Sequence, residues 1–447
     1  MIYRGWALGS AVWTQAGNLT TRMKQPHYPQ WLLEAPLWTE IWSGPLPGKK
    51  LWCVDPADNI RLAEALGTPI GTHWYGWNNE EFDTRYPVYT PKSCFAGATA
   101  AMQARSVHVV PYTNGRLFDP RDQKYVADNA EQFACHRAFG KPYTERYEAG
   151  RNWSFVTMDP GTSYWQRTVA QAVGAAQRAG NTSGVYVDQI ASMYAESCYG
   201  KSRSGGGSRW ADGNRATLAA AVQAIGPGKV LISESNAEAY MGSLHAYLAL
   251  YGFRQCNVVP AFQAVYGGWS VNVGSVEWPS DQEGVRILLA HQWTYGHVMG
   301  WTKPSVFLNN AATLAFTREL AQLKVNHSDF LVFGRLMRPP ILTAAGGGAL
   351  PEARWCQSTG TCCSTALVIG QVWMAGDGSL GLALANPSNA TVHVAAKLRV
   401  DGHTHLVEGG GVLVDGARAT TGSEHLLVTK VMAPLSAAVA RISARSP

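Results

Sequence analysis

From Asp55 onward the chain alternates between stretches with apolar residues at helical spacing and short unbroken apolar runs. Asp55 as N-cap, Pro56 at the first helical position and Gly67 as a stop predict a helix over 56–66, followed by a strand over Pro69–Tyr75. The rhythm repeats as helix Phe95–Arg105 and strand Val107–Thr113, then strand Phe155–Met158 and helix Ser163–Arg178, with Val169, Ala172, Val173 and Ala176 on one face. Val185–Val187 ends in Asp188, and helix Trp210–Ile225 leads to Val230–Glu234. Ala246–Leu250 and Ala261–Val265 predict strands six and seven. Helix Gln282–Thr294, strand His297–Trp301 and helix Ala311–Val325 complete the series. The runs are apolar throughout rather than alternating, which marks parallel strands buried on both faces. Eight such units predict a closed (β/α)8 TIM barrel over residues 51–335. No glycine-rich phosphate loop follows the first strand, which argues against an open doubly wound sheet.

The texture changes at Pro339-Pro340. Short β-like runs (Thr365–Ile369, Val372–Ala375, Gly381–Ala385, Thr391–Val400, Leu426–Val431) are split by turns such as Gly346-Gly-Gly348 and Gly409-Gly-Gly411, predicting a small β-sandwich over 336–447. Residues 1–50, rich in Trp and Pro, are expected to pack on the barrel.

In a barrel of this kind function collects at the C-terminal ends of the strands. Two of those ends carry carboxylates, Asp188 and Glu234, on neighbouring units. An acid at the end of a buried strand is costly unless it is hydrogen-bonded or working. Such a pair is what glycoside hydrolysis needs: one carboxylate attacks or activates water while the other protonates the leaving oxygen. The other strand ends supply His73, Trp74, Tyr75, Asn114, Arg116, Asp159, Gln189, Glu238, Tyr266 and Trp301 as candidate substrate contacts. Of these, Trp74, Tyr75 and Tyr266 are expected to stack on sugar rings, and His73, Asn114, Arg116 and Gln189 to hold hydroxyls. Asp83 and Asp119 read as ordinary loop acids. A carbohydrate-binding barrel without catalysis is the main alternative. A lyase or isomerase with Tyr186 or Tyr266 as base is a third.

Composition narrows the field. With 46% hydrophobic and 15% charged residues the chain can bury a large interior, and 17 Trp is heavy for 447 residues, as sugar-stacking platforms would require. The net charge of +6 is scattered, with no basic run, so no nucleic-acid partner is expected. No run of 18 apolar residues predicts a membrane span. No zinc-like cysteine or histidine spacing appears, and neither a metal nor an organic cofactor is expected. Of eight cysteines, Cys53, Cys94, Cys135, Cys198 and Cys256 are dispersed and expected to be mostly buried thiols. Cys356 is placed to pair with Cys362 or Cys363 in an oxidising compartment. The opening Met1–Trp6 lacks a signal-peptide layout, which fits a cytoplasmic chain, or an extracellular one whose leader lies upstream.

Six ordered motifs, His73-Trp-Tyr-Gly-Trp77, Pro111-Tyr-Thr-Asn-Gly-Arg116, Gly184-Val-Tyr-Val-Asp-Gln-Ile-Ala191, Gly205-Gly-Gly207, Glu234-Ser-Asn-Ala-Glu238 and Ala264-Val-Tyr-Gly-Gly268, resemble a family of uncharacterised proteins assigned as glycosidases. That family is similar to the endo-α-N-acetylgalactosaminidase-like α-glycosidases. The likeness covers most of residues 1–340. It implies a retaining α-glycosidase on a TIM barrel, with Asp188 as nucleophile after strand four and Glu234 as acid/base after strand five.

Overall fold

A computed structural model describes residues 23, 28–43, 53–81, 83–147, 153–199, 209–249, 258–276, 279–399, 412–414, 418–421 and 425–444. The glycine-rich stretches at 205–207 and 409–411, and Cys256, lie outside them. Eight parallel strands form one sheet: Leu37–Trp42, Ile70–Tyr75, Val107–Asn114, Gly184–Asp188, Val230–Glu234, Ala246–Leu248, Val271–Val273 and Met299–Thr302. Each pairs with its neighbours in chain order, the first pairs with the eighth, and a parallel bridge between Val273 and Val298 closes the ring. This is the expected TIM barrel.

Its membership differs from expectation at three places. Leu37–Trp42, in the segment expected only to pack on the barrel, is its first strand. Phe155–Met158 is not a barrel strand: Trp153–Thr157 belongs to a three-stranded antiparallel excursion with Leu117–Phe118 and Thr144–Tyr147. Ala261–Tyr266 is a short helix, and the seventh strand comes just after it at Val271–Val273. One strand gained at the front and one lost in the middle cancel, so Asp188 and Glu234 still end strands four and five.

The interior is filled by side chains from alternate positions, among them Trp38, Val110, Tyr112, Tyr186, Ile232, Leu248, Val273 and Trp301. Trp38 is accommodated because Gly71 faces it; a Cβ at Gly71 would lie 2.2 Å from the indole. The opposite faces pack on the surrounding helices. Helix Ser163–Gly180 is capped by the Thr162 hydroxyl and lies beside helix Trp210–Ile225. Pro56 rather than Asp55 occupies the cap position of helix Ala57–Leu66, with the Asp55 carboxylate accepting from the Ala57 N–H at 2.9 Å.

Beyond the barrel a five-stranded sheet and a four-stranded sheet share an apolar core that includes Leu382, Leu384, Val394, Leu398, Val428 and Ile442, as a sandwich does. Three disulfides join described residues: Cys53–Cys94, Cys135–Cys198 and Cys356–Cys362. The first two replace the expected thiols. Their partners stand 41 and 63 residues apart and meet only because the barrel returns the chain to the same rim.

Candidate active site

Asp188 and Glu234 close adjacent parallel strands whose register pairs Tyr186 with Ile232, so the two acids, each two residues further on, stand at the same level. Both are partly exposed at the strand ends. The residue after each acid is left-handed without being glycine, Gln189 at φ 66° and Ser235 at φ 58°. Such backbone costs about 1–3 kcal/mol and concentrates at working sites. The turns swing the chain away directly behind each carboxylate.

Tyrosines hold Asp188. Tyr186 Oη donates to its Oδ1 at 3.1 Å, and Tyr112 Oη lies 3.2 Å from its Oδ2. Burial, then the charge of Glu234, then that of Asp83 push the Asp188 carboxyl well above the usual carboxylate range. Tyr75 is pushed up by burial and then by Asp188 and Glu234, so all three groups act on one another. Beneath the acids lies an aromatic layer. The His73 ring stands 4.1 Å from that of Tyr186 and 4.2 Å from that of Tyr75, and Tyr75 stands 4.8 Å from Tyr112. His73 Nδ1 accepts from Trp301 Nε1 at 3.1 Å, which leaves the imidazole proton on Nε2, and burial lowers its pKa to about 3.

The structure therefore brings together Asp188, Glu234, His73, Tyr75 and Trp301, with Trp301 lining the barrel interior rather than offering an open face. It does not gather the rest at one opening. Trp74 points the other way: it is fully buried, packs edge-on to Phe95 of helix Phe95–Gln103 and donates to Ser43 Oγ at 2.8 Å, so it stacks on no sugar. Arg116 is buried in a bidentate pair with Glu145, both contacts at 2.5 Å, and secures the excursion rather than a ligand. Asp159 is fully buried, with Oδ1 closing a turn on the Gly161 N–H at 2.8 Å. Asn114, also buried, bonds Asp83 and caps the N–H groups of Arg116 and Leu117. Gln189 donates to Tyr147 Oη at 2.8 Å. The Tyr266 ring is buried beside Phe262, and its hydroxyl donates to the exposed Glu238, so this tyrosine too lacks an open stacking face.

Three contributors were not anticipated. Trp42, half exposed at the end of the first strand, lies 4.7 Å from the Tyr75 ring and offers the open aromatic face that Trp74 does not. Glu40, buried on the same strand, acts on Tyr75 electrostatically. Asp83, fully buried, accepts from Tyr89 and the Asn114 amide at 2.9 Å, and its Oδ2 lies 3.0 Å from Tyr112 Oη. Inward-facing alternation would have found Trp42 and Glu40 had the first strand been recognised. Nothing in the sequence separates Asp83 from other loop acids. Among the described residues no group of three or more His, Cys, Asp or Glu is arranged to hold a metal ion, and no helix is long and apolar enough to cross a membrane.

Residues 1–277 match the family described as Domain of unknown function (DUF6259). A Monosiga brevicollis protein named Putative glycoside hydrolase 22789 is 30% identical over 77% of this chain and 33% of its own length. A Bacteroides thetaiotaomicron protein named Putative glycoside hydrolase is 25% identical over 76% of this chain and 52% of its own. The chain thus spans about a third and about half of these curated relatives. Among solved structures, the α-N-acetylgalactosaminidase NagBb from Bifidobacterium bifidum superposes with a TM-score of 0.57 at 14% identity, over 84% of this chain and 61% of that one. A maltogenic α-amylase, AmyB from Thermotoga neapolitana, gives 0.54 at 10% identity over 92% and 99%. At these identities the likeness is one of fold, and the fold is the one described above.

Proposed function

Because the chain belongs to DUF6259, a domain family of unknown function, we propose its activity from the site itself: it is a glycoside hydrolase, and specifically a retaining α-glycosidase. Asp188 attacks the anomeric carbon, while Glu234 protonates the departing oxygen and then activates the water that releases the sugar. The observation that carries this reading is the level placement of the two acids on adjacent strands. Neighbouring strands lie about 4.7–4.9 Å apart. Side chains leaving strands this close can bring their carboxyls to the roughly 5–5.5 Å that retaining enzymes use. The names of the two curated relatives support the same class. Two tyrosine hydroxyls on Asp188 suit an attacking carboxylate, since hydrogen bonds to the charged form favour it against burial. Trp42 and Tyr75 supply an aromatic wall for the apolar face of a sugar ring. His73, neutral down to about pH 3, presents its Nε2–H as a fixed donor within the aromatic layer.

Incubation with a panel of aryl glycosides and oligosaccharides, read by mass, tests the reading. The wild-type chain is expected to cleave at least one member with the anomeric configuration kept. Asp188→Asn should fall to background, and Glu234→Gln should lose about 10²–10⁴-fold, less on aryl glycosides whose leaving group needs no proton. An Asp188→Asn protein with wild-type turnover removes the nucleophile from this account. Binding without turnover by the wild-type chain makes it a lectin-like barrel.

A further inference from the structure

The Tyr112 hydroxyl has one hydrogen and two carboxylates within reach. Its Oη lies 3.0 Å from Asp83 Oδ2 and 3.2 Å from Asp188 Oδ2. A phenol donates once. With both acids ionised, one contact would set a tyrosine lone pair against a carboxylate oxygen in a buried place, where an unmade hydrogen bond is most costly. Both contacts are satisfied when one acid keeps a proton, donates it to Tyr112 Oη, and lets Tyr112 donate onward to the other. We propose that Asp83 keeps this proton and thereby leaves Asp188 ionised, a positioning role toward the attacking carboxylate. The consequence for catalysis rests on the glycosidase reading; the location of the proton does not.

The surroundings of the two acids decide between them. Asp83 is fully buried, whereas Asp188 stands partly exposed at the strand end. From its own loop Asp83 meets Tyr89, which donates to Oδ1 at 2.9 Å, and the neighbouring Tyr86. From the third barrel strand it meets Tyr112 and the Asn114 amide, and from the fourth the charge of Asp188. Neutral donors and another acid face it, and among the described residues no cation is paired with it. Full burial favours its neutral form, and although the donors Tyr89, Tyr112 and Asn114 favour the charged one, burial outweighs them and pushes Asp83 up to about 6. Tyr89 Oη accepts from the Asn114 N–H at 2.9 Å, so its own hydrogen is left for Asp83 Oδ1, and Oδ2 is the oxygen that carries the proton toward Tyr112. Asp188 has a second donor of its own in Tyr186. Burial and then the charge of Glu234 push Asp188 upward in their own right, and a neutral Asp83 takes away the third cause, its own like charge.

Carbon-13 NMR of the intact chain labelled at aspartate Cγ locates the proton. A carboxylic-acid resonance is expected to persist between about pH 5 and about pH 6 in the wild type and in Asp188→Asn, and to be missing from Asp83→Asn. If it survives in Asp83→Asn and vanishes from Asp188→Asn, or if no aspartate stays protonated at about pH 5, the proposal is wrong. Sequential assignment of that resonance in the wild type decides the matter equally well should Asp83→Asn not fold. On any glycoside the wild type cleaves, the acidic limb of kcat/KM should stay in place in Asp83→Asn, because the neighbour of Asp188 is neutral either way. A displacement of that limb by about one pH unit or more overturns the assignment. The resonance needs no substrate, so failure of the glycosidase reading and failure of this one are separate results.

Discussion

Burial holds the His73 imidazole neutral, and that has a measurable cost in acid. Its folded-state pKa is depressed from 6.5 to about 3, so the stability it contributes is complete above pH 6.5 and is lost as pH falls toward 3. Between neutral pH and pH 5 the loss is about 2 kcal/mol, at 1.36 kcal/mol per pH unit. In His73→Gln the side-chain carbonyl can still accept from Trp301 Nε1, but nothing titrates. The stability gap between wild type and variant, measured by urea unfolding, should therefore shrink by about 2 kcal/mol from pH 7.5 to pH 5. An unchanged gap means the ring is solvated. At this scale Asp188 and Glu234 were legible because an acid closing an apolar run is conspicuous. Trp74 and Tyr75 were not separable: a parallel strand is apolar on both faces, so its pattern does not tell the interior from the helix side. Asp83 acquires its neighbours only when its loop folds over the ends of the third and fourth strands.

Among the elements, the excursion after the third strand shapes the site most. Its Cys135 is bonded to Cys198 in the loop that follows Asp188, and Gln189 reaches Tyr147 on the excursion's edge strand. By loop-closure entropy a 63-residue separation stabilises by about 4 kcal/mol, and the 6-residue loop of Cys356–Cys362 by about 2 kcal/mol. Replacing both Cys135 and Cys198 by Ala should lower stability by the larger amount and also weaken turnover, because the loop behind Asp188 is released. The Cys356/Cys362 double replacement should cost the smaller amount and leave turnover alone, since that hairpin lies beyond the barrel. Equal effects on turnover would refute this division. Long helices were readable to within a residue or two, as with Trp210–Ile225 and Gln282–Thr294, because several turns of periodicity accumulate. Three-residue strands and a six-residue helix offer no period to count, which is why the sixth strand fell at its expected place while the seventh was expected on what is a helix. An antiparallel strand such as Trp153–Thr157, buried by its hairpin neighbours, looks the same in sequence as a barrel strand.

For the whole molecule the question is whether the β-sandwich is an appendage or part of one folding unit. Its Trp373 is fully buried against the barrel: the indole N–H donates to the Thr294 carbonyl at 2.9 Å, and Gly296, at φ 74°, leaves room for the ring that a Cβ would meet at 2.7 Å. Phe330 sits under Gly381 on one side and 4.6 Å from the Arg441 guanidinium on the other, while Arg441 also pairs with Asp329. Arg286 Nε donates to the Pro387 carbonyl, and the Glu319 carboxylate accepts from the Ala437 N–H. One apolar cluster runs from Leu288 and Trp293 of the barrel through Trp373 to Ala383 and Ala385 of the sandwich. Separate domains of a chain usually meet across smaller, more polar surfaces and move independently. Here the helix Gln282–Thr294 serves as outer layer to the barrel and floor to the sheet. Thermal or urea unfolding should accordingly give one transition with coincident tryptophan and far-ultraviolet signals. Trp373→Ala should lower its free energy by about 3–5 kcal/mol, and a chain cut after Leu336 should fail to fold. Two resolved transitions, or a soluble truncated barrel with native far-ultraviolet signal, would show that the barrel completes its core alone.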